Sequence, residues 1–134
     1  MSGSYYVPVM LDMREKKILL VGGGAIASEK LGRLLDCTTQ ITVVSPACSE
    51  KMDEYISRHN LTLHSREFLD SDLDGVDIVI AAVDSAELQE HIFAEARGRG
   101  VLCNAVDLPS YCDFIFPSIV RRDDFILAVS TSGA

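Results

Sequence analysis

"ILLVGGGAIASEKLGRLL", Ile18 to Leu35, joins an apolar run, three glycines and a segment of helical character. The glycines either cradle a phosphate or simply form a tight turn. Gly22, Gly24 and Ala27 fit G-x-G-x-x-A. The pattern follows a strand and opens a helix, the context that makes it informative. Gly22 permits the tight turn, Gly24 lets the backbone approach a pyrophosphate, and Ala27 lets the helix pack closely on the strand. The helix start then offers free N–H groups and a positive dipole end to phosphates.

Working outward, short apolar runs alternate with helical segments. "KKILLVG" reads as a buried strand, and the helix after it puts Ile26, Leu31, Leu34 and Leu35 near one face. "QITVVS" is a second strand. "CSEKMDEYISRHN" is an amphipathic helix with Met52, Tyr55 and Ile56 on one side. "LTLHSREF" alternates as a third strand, and "VDIVIAAV" is apolar throughout, as a strand covered on both faces is. "SAELQEHIFAEARGRG" is a helix stopping at Gly98 or Gly100, and "VLCNAV" is a fifth strand. This rhythm means βαβ units and a parallel, doubly wound, Rossmann-like α/β sheet. After Asp107 two apolar runs flank "RRDD", the pattern of a hairpin or of a strand pair added to the sheet edge. The expected division is a dinucleotide-binding domain over 1–113 and a second, truncated region over 114–134. The run stops at "TSGA" directly after an apolar strand, so the natural chain is expected to continue.

The chain has 134 residues, enough for one domain with its own core. Its net charge of −8 argues against nucleic acid. No apolar run reaches the length of a membrane span, and the N-terminus lacks a signal-peptide pattern. A soluble, cytoplasmic protein is the expectation. Cys37, Cys48, Cys103 and Cys112 form no C-x-x-C and read as buried free thiols. His59, His64 and His91 are scattered, and no metal site is expected.

An NAD site ordinarily has an acidic residue at the end of its second strand to hold the ribose. Here Ser45 takes that place, a weaker partner. No arginine stands beside it for a 2′-phosphate, so NAD is expected over NADP. Asp84 follows the fourth strand; it either touches the cofactor or N-caps the next helix in a D-x-x-E box with Glu87. Asn104 and Asp107 end the fifth strand, where ligands of doubly wound sheets bind. Asp107 is the titratable group there able to move a proton, and the alternative is ordinary loop chemistry before Pro109.

"YYVPVMLDMREKKILLVGGGAIASEKLGRLL", "TVVSP", "VIAAVD" and "CNAVDLPSYCDFIFPSIVRRDDFILAVSTSGA" occur in that order. Together they resemble the N-terminal domain of the siroheme synthase family, the precorrin-2 dehydrogenases. The most specific part is "CNAVD" followed by "FIFPSIV" and "AVSTSGA". The resemblance implies NAD-dependent oxidation of precorrin-2 to sirohydrochlorin, and in some members ferrous-iron insertion. It implies that Asp107 is catalytic, that Ala25, Ile26, Pro46 and Ala47 lie against NAD, and that Ser130 to Gly133 lie near the active site. It also implies a homodimer, with further dimerising and substrate-covering parts beyond "TSGA". The substrate carries eight carboxylates, which an acidic domain repels. Arg121 and Arg122 either offset this locally or form a solvated hairpin tip. Competing readings are a dinucleotide-sensing regulatory module, which needs no base at Asp107, and a scaffolding remnant.

Overall fold

A computed structural model describes residues 5–131. Five parallel strands form one sheet in the order β3-β2-β1-β4-β5. They are β1 (Ile18–Val21), β2 (Ile41–Val44), β3 (Thr62–His64), β4 (Ile78–Ala81) and β5 (Leu102–Ala105). Helices α1 (Ala25–Leu34), α2 (Glu50–Arg58) and α3 (Ala86–Gly98) connect them. The central strands β1 and β4 are apolar and buried along their whole length because each of their faces is covered. Ile18, Leu20, Ile41, Val43, Ile78 and Ile80 face a layer with Ala27, Leu31, Leu34 and Met52. Their alternates, Leu19, Val21, Val44, Val79, Ala81 and Cys103, face Leu73, Ile92 and Ala96. The order reverses beside β1, where the chain crosses to β2 on one side and β4 lies on the other. That reversal opens a crevice at the carboxyl ends.

The helix ends follow local chemistry. Ser49 caps α2 by accepting from Met52 N (3.2 Å). At the far end of α2 Asn60 takes φ 52°, and Leu61 N donates to Ile56 O. Gly100, at φ 70°, closes α3 in the same way, with Val101 N donating to Ala96 O. These are Schellman closures, which satisfy the last carbonyls of each helix.

Some readings change. Ile26 is 47% exposed, because it falls outside the stripe of Ala27, Leu31 and Leu34 that α1 buries. β3 stops at His64, where Arg66 N turns back to His64 O (2.9 Å). Arg66 then pairs both nitrogens with Asp72 (2.9 and 2.7 Å), and Asp72 also accepts from Leu69 N. Cys37 is exposed, and only Cys103 is fully buried, its thiol pushed up to about 12 by burial. The two late runs form a separate antiparallel hairpin, β6 (Ser118–Arg122) and β7 (Phe125–Val129), and do not join the sheet edge. The edge of β5 is taken instead by Cys112–Phe114: Asp113 N donates to Cys103 O (2.7 Å) and Asn104 Nδ2 to Phe114 O (2.8 Å). Phe114 and Phe116 pack on the α1/α2 layer, so packing against the sheet runs through Phe116. Arg33 holds the hairpin's start through Pro117 O (3.0 Å).

The Arg66–Asp72 pair gives a pH prediction. The Arg66 guanidinium holds the Asp72 carboxyl below its ordinary value, so Asp72 stabilises the fold above that value. The stabilisation is lost as pH falls through the lowered folded value. Arg66 is partly solvated, so Asp72→Ala is expected to cost about 1–2 kcal/mol near neutrality. Urea unfolding should show the gap from wild type closing below about pH 4. A gap independent of pH would refute the ion-pair origin.

Candidate functional site

The three glycines differ in what surrounds them. Gly22 is buried with φ 126°, and a Cβ there would overlap the Ala82 carbonyl. Gly22 N also donates to Val44 O (2.9 Å), which seats the turn on β2. At Gly23 a Cβ would overlap the Ala47 carbonyl and lie 2.7 Å from Ser45 Oγ. Gly23 O meanwhile accepts from Ser49 N (2.8 Å), so the loop after β2 rests on Gly23. Gly24 has an ordinary φ of −90°, and nothing lies within 4 Å of where its Cβ would be. It N-caps α1 with no side-chain hydrogen bond, leaving first-turn N–H groups outward. Two of the glycines are therefore demanded by the fold. The third leaves an open, donor-rich step that suits a pyrophosphate.

The sequence-selected residues separate by exposure. Gly24, Ala25, Ile26, Pro46, Ala47, Asp84 and Asp107 are exposed, and all follow the carboxyl ends of strands β1, β2, β4 and β5. Gly22, Ser45 and Asn104 are buried and hold backbone. Ser45 Oγ donates to Ala47 O (2.6 Å) and is 5% exposed, so its hydroxyl shapes the loop after β2. Asn104 is likewise 5% exposed, and its Nδ2 donates to the Phe114 carbonyl. Asp84 does not cap α3; Ser85 does, accepting from Leu88 N (3.1 Å). The one-residue shift leaves the Asp84 carboxylate outside the helix.

Asp107 sits in a turn closed by Leu108 N donating to Ala105 O (3.0 Å), with φ 64°. A left-handed φ is uncommon outside glycine and tolerated best by Asn and Asp. The single proton of the Cys112 thiol is shared between Ala105 O (3.1 Å) and Leu108 O (3.4 Å), bracing the turn. Burial raises the thiol pKa at both Cys112 and Cys103, so both stay protonated. Sequence reasoning missed Gly23 and Gln89. The unbroken run of three glycines signalled the first, and a glutamine on the apolar stripe of α3 signalled the second.

Elsewhere, a cleft of about 490 Å³ lies beside Lys17, Gln40, Thr42, Asn60 and Asp74, toward the other end of β1 and β2 from Gly22. Among the described residues one group of three ligating side chains, Asp70, His91 and Glu95, comes together. Its members already have partners, in the His91–Asp70 hydrogen bond (2.7 Å) and the Arg99–Glu95 ion pair (2.7 Å). Arg121 and Arg122 are exposed on β6. Of the segment Ser130 to Gly133, Ser132 and Gly133 lie outside the described residues. No described helix is long and apolar enough to cross a membrane.

A 3-2-1-4-5 parallel sheet with an open glycine step at its first βα turn defines a dinucleotide-binding domain. The family described as "Putative NAD(P)-binding" matches residues 9–118, and the chain belongs to it. It is 36% identical over 129 residues to the siroheme synthase of Nitrosococcus oceani, covering 96% of this chain and 28% of that protein. It is 38% identical to that of Methylococcus capsulatus, covering 96% and 27%. The chain thus spans little more than a quarter of these relatives. Among solved structures, SirC, a precorrin-2 dehydrogenase, superposes with a TM-score of 0.83 at 26% identity, over 96% of this chain and 63% of that one. GenD2 from gentamicin A biosynthesis, in complex with NAD, shares the fold (TM-score 0.52, 23% identity, 73% and 28% covered).

Proposed function

We propose that this chain is the NAD-dependent module that oxidises precorrin-2 to sirohydrochlorin in siroheme synthesis. The observation that carries the reading is the exposed Asp107 carboxylate in its left-handed turn, two strands from the open Gly24 step. A dinucleotide seated with its pyrophosphate on Gly24 and the α1 N–H groups has one arm toward β2 and the other across β4 toward β5. Ala25 and Ile26 flank the pyrophosphate, and Pro46 and Ala47 flank the adenosine side. The loop 45–49 carries no arginine for a 2′-phosphate, which supports NAD over NADP. When bound, the nicotinamide supplies the hydride acceptor.

The oxidation removes a hydride and a proton from the macrocycle, and the Asp107 carboxylate takes the proton. Exposure suits this role, because the acceptor must reach a large substrate lying over the crest. Iron insertion has no observation of its own, since Asp107 joins no group of three ligating side chains among the described residues. The apolar hairpin, with Val120 54%, Phe125 63% and Val129 57% exposed, supports a homodimer in which a second copy covers it. Sedimentation showing only monomer across micromolar concentrations would refute that part.

The test is anaerobic incubation of precorrin-2 and NAD⁺ with the chain, following NADH and sirohydrochlorin absorbance. Turnover is the expected result. Its absence both here and in a chain of the relatives' full length, with NAD still bound, would favour the sensing module instead.

A further inference from the structure

The buried amide of Gln89 stands one residue from the proposed base. Gln89 lies on the inner face of α3 and is 4% exposed. Its Nε2 donates to Ala81 O (3.0 Å) and to Val106 O (3.0 Å). Ala81 ends β4, and Val106 immediately precedes Asp107. Both partners are carbonyls, which fixes the amide orientation, since only the nitrogen donates. Val106 N also donates to Ala81 O (3.1 Å), so one carbonyl gathers the strand end and the helix together. The helix is itself registered here, because Gln89 N donates to Ser85 O (3.0 Å), the cap residue of α3.

A buried glutamine on a stripe otherwise made of Ile92 and Ala96 is unfavourable unless its donors are matched. Matching them to these two carbonyls ties the third helix to the turn that carries Asp107. A left-handed aspartate persists only where its surroundings over-determine it. Here the Leu108–Ala105 bond closes the turn, Cys112 braces one side, and Gln89 holds the other.

We infer that Gln89 is a positioning residue for the Asp107 carboxylate, acting through the Val106 carbonyl and touching neither substrate nor cofactor. The inference rests on the reading of Asp107 as the base. Val106 O would otherwise be free to rotate with the peptide that sets φ of Asp107. A shift of about 1 Å at a reacting group lowers rates about 10²-fold.

The experiment uses Gln89→Met, which keeps shape and loses both donors. It reads kcat for precorrin-2 oxidation, KM for NAD⁺, and hydrogen exchange at the Leu108 amide against the Leu20 amide of β1. The expected result is kcat lower by about 10- to 100-fold and KM for NAD⁺ within about twofold. Leu108 exchange should be at least about tenfold faster, with Leu20 unchanged. A change in kcat without faster Leu108 exchange, or faster exchange without a change in kcat, overturns the inference. So does no change in either. If the methionine variant does not fold, Gln89→Glu, which retains the shape and at most one donor, is read by the same measurements. If the wild-type chain itself fails to oxidise precorrin-2 at full length, the reading of Asp107 falls. The exchange comparison still decides whether Gln89 holds the turn.

Discussion

Asp107→Asn is expected to lower precorrin-2 turnover by about 10³-fold while leaving the fold and NAD binding intact. The substitution suits the test because the residue has two separable properties. It carries a carboxylate, and it occupies φ 64°. Asparagine tolerates left-handed backbone as aspartate does, so the turn is kept. It is nearly the same size, and the position is exposed, so packing is untouched. Only the ability to take a proton is removed. Asp107→Ala would confound the two, since a plain Cβ residue resists that φ by about 1–2 kcal/mol. The measurements are anaerobic turnover, NAD titration by calorimetry and a thermal melt. Wild-type turnover in the asparagine variant would dismiss Asp107 as the base. Loss of NAD binding along with turnover would mean that the turn is part of the cofactor site instead.

The fold was legible because its signals are periodic and local. Continuous apolar strands, capped amphipathic helices and glycine stops each follow from residue chemistry, and right-handed crossovers put helices on both faces of the sheet. The glycine motif was legible as a site because it stood between a strand and a helix. What could not be read was the direction in which individual polar side chains turn. Ser45 and Asn104 occupy the expected ends of strands, yet both point inward to nearby carbonyls. A sequence gives their position along the strand, whereas the acceptors come from loops placed by tertiary packing. Asp84 lost the helix cap to Ser85 because either residue can cap and the boundary shifts by one. The two late runs were legible as a hairpin or as a strand pair on the sheet edge, and the choice between these depends on Cys112–Phe114 already occupying the β5 edge. Gln89 required recognising that a single polar residue on an apolar stripe must have a buried partner.

The second large effect separates two glycines that one motif treats alike. Gly22→Ala is expected to destabilise the fold by about 3 kcal/mol or more, because strain at positive φ adds to overlap with a backbone carbonyl. The Ala82 carbonyl belongs to the chain leaving β4, so relief would require parting the strand ends that make the crevice. Gly24→Asp should do the opposite to stability. Its φ of −90° is ordinary, its Cβ meets open space, and aspartate caps helices at least as well as glycine. The variant should melt no lower than wild type, yet bind NAD about 10³-fold more weakly. A carboxylate about 4 Å from a pyrophosphate charge, at an effective dielectric of about 20, is repelled by about 4 kcal/mol. That repulsion alone accounts for the predicted thousandfold, before any steric clash. Urea unfolding and NAD calorimetry on both variants give four values with opposite expected patterns. NAD affinity unchanged in Gly24→Asp would place the phosphate elsewhere and leave the glycine run a turn. Wild-type stability in Gly22→Ala would show that the turn relaxes, and that its glycine, like Gly24, is there for a ligand.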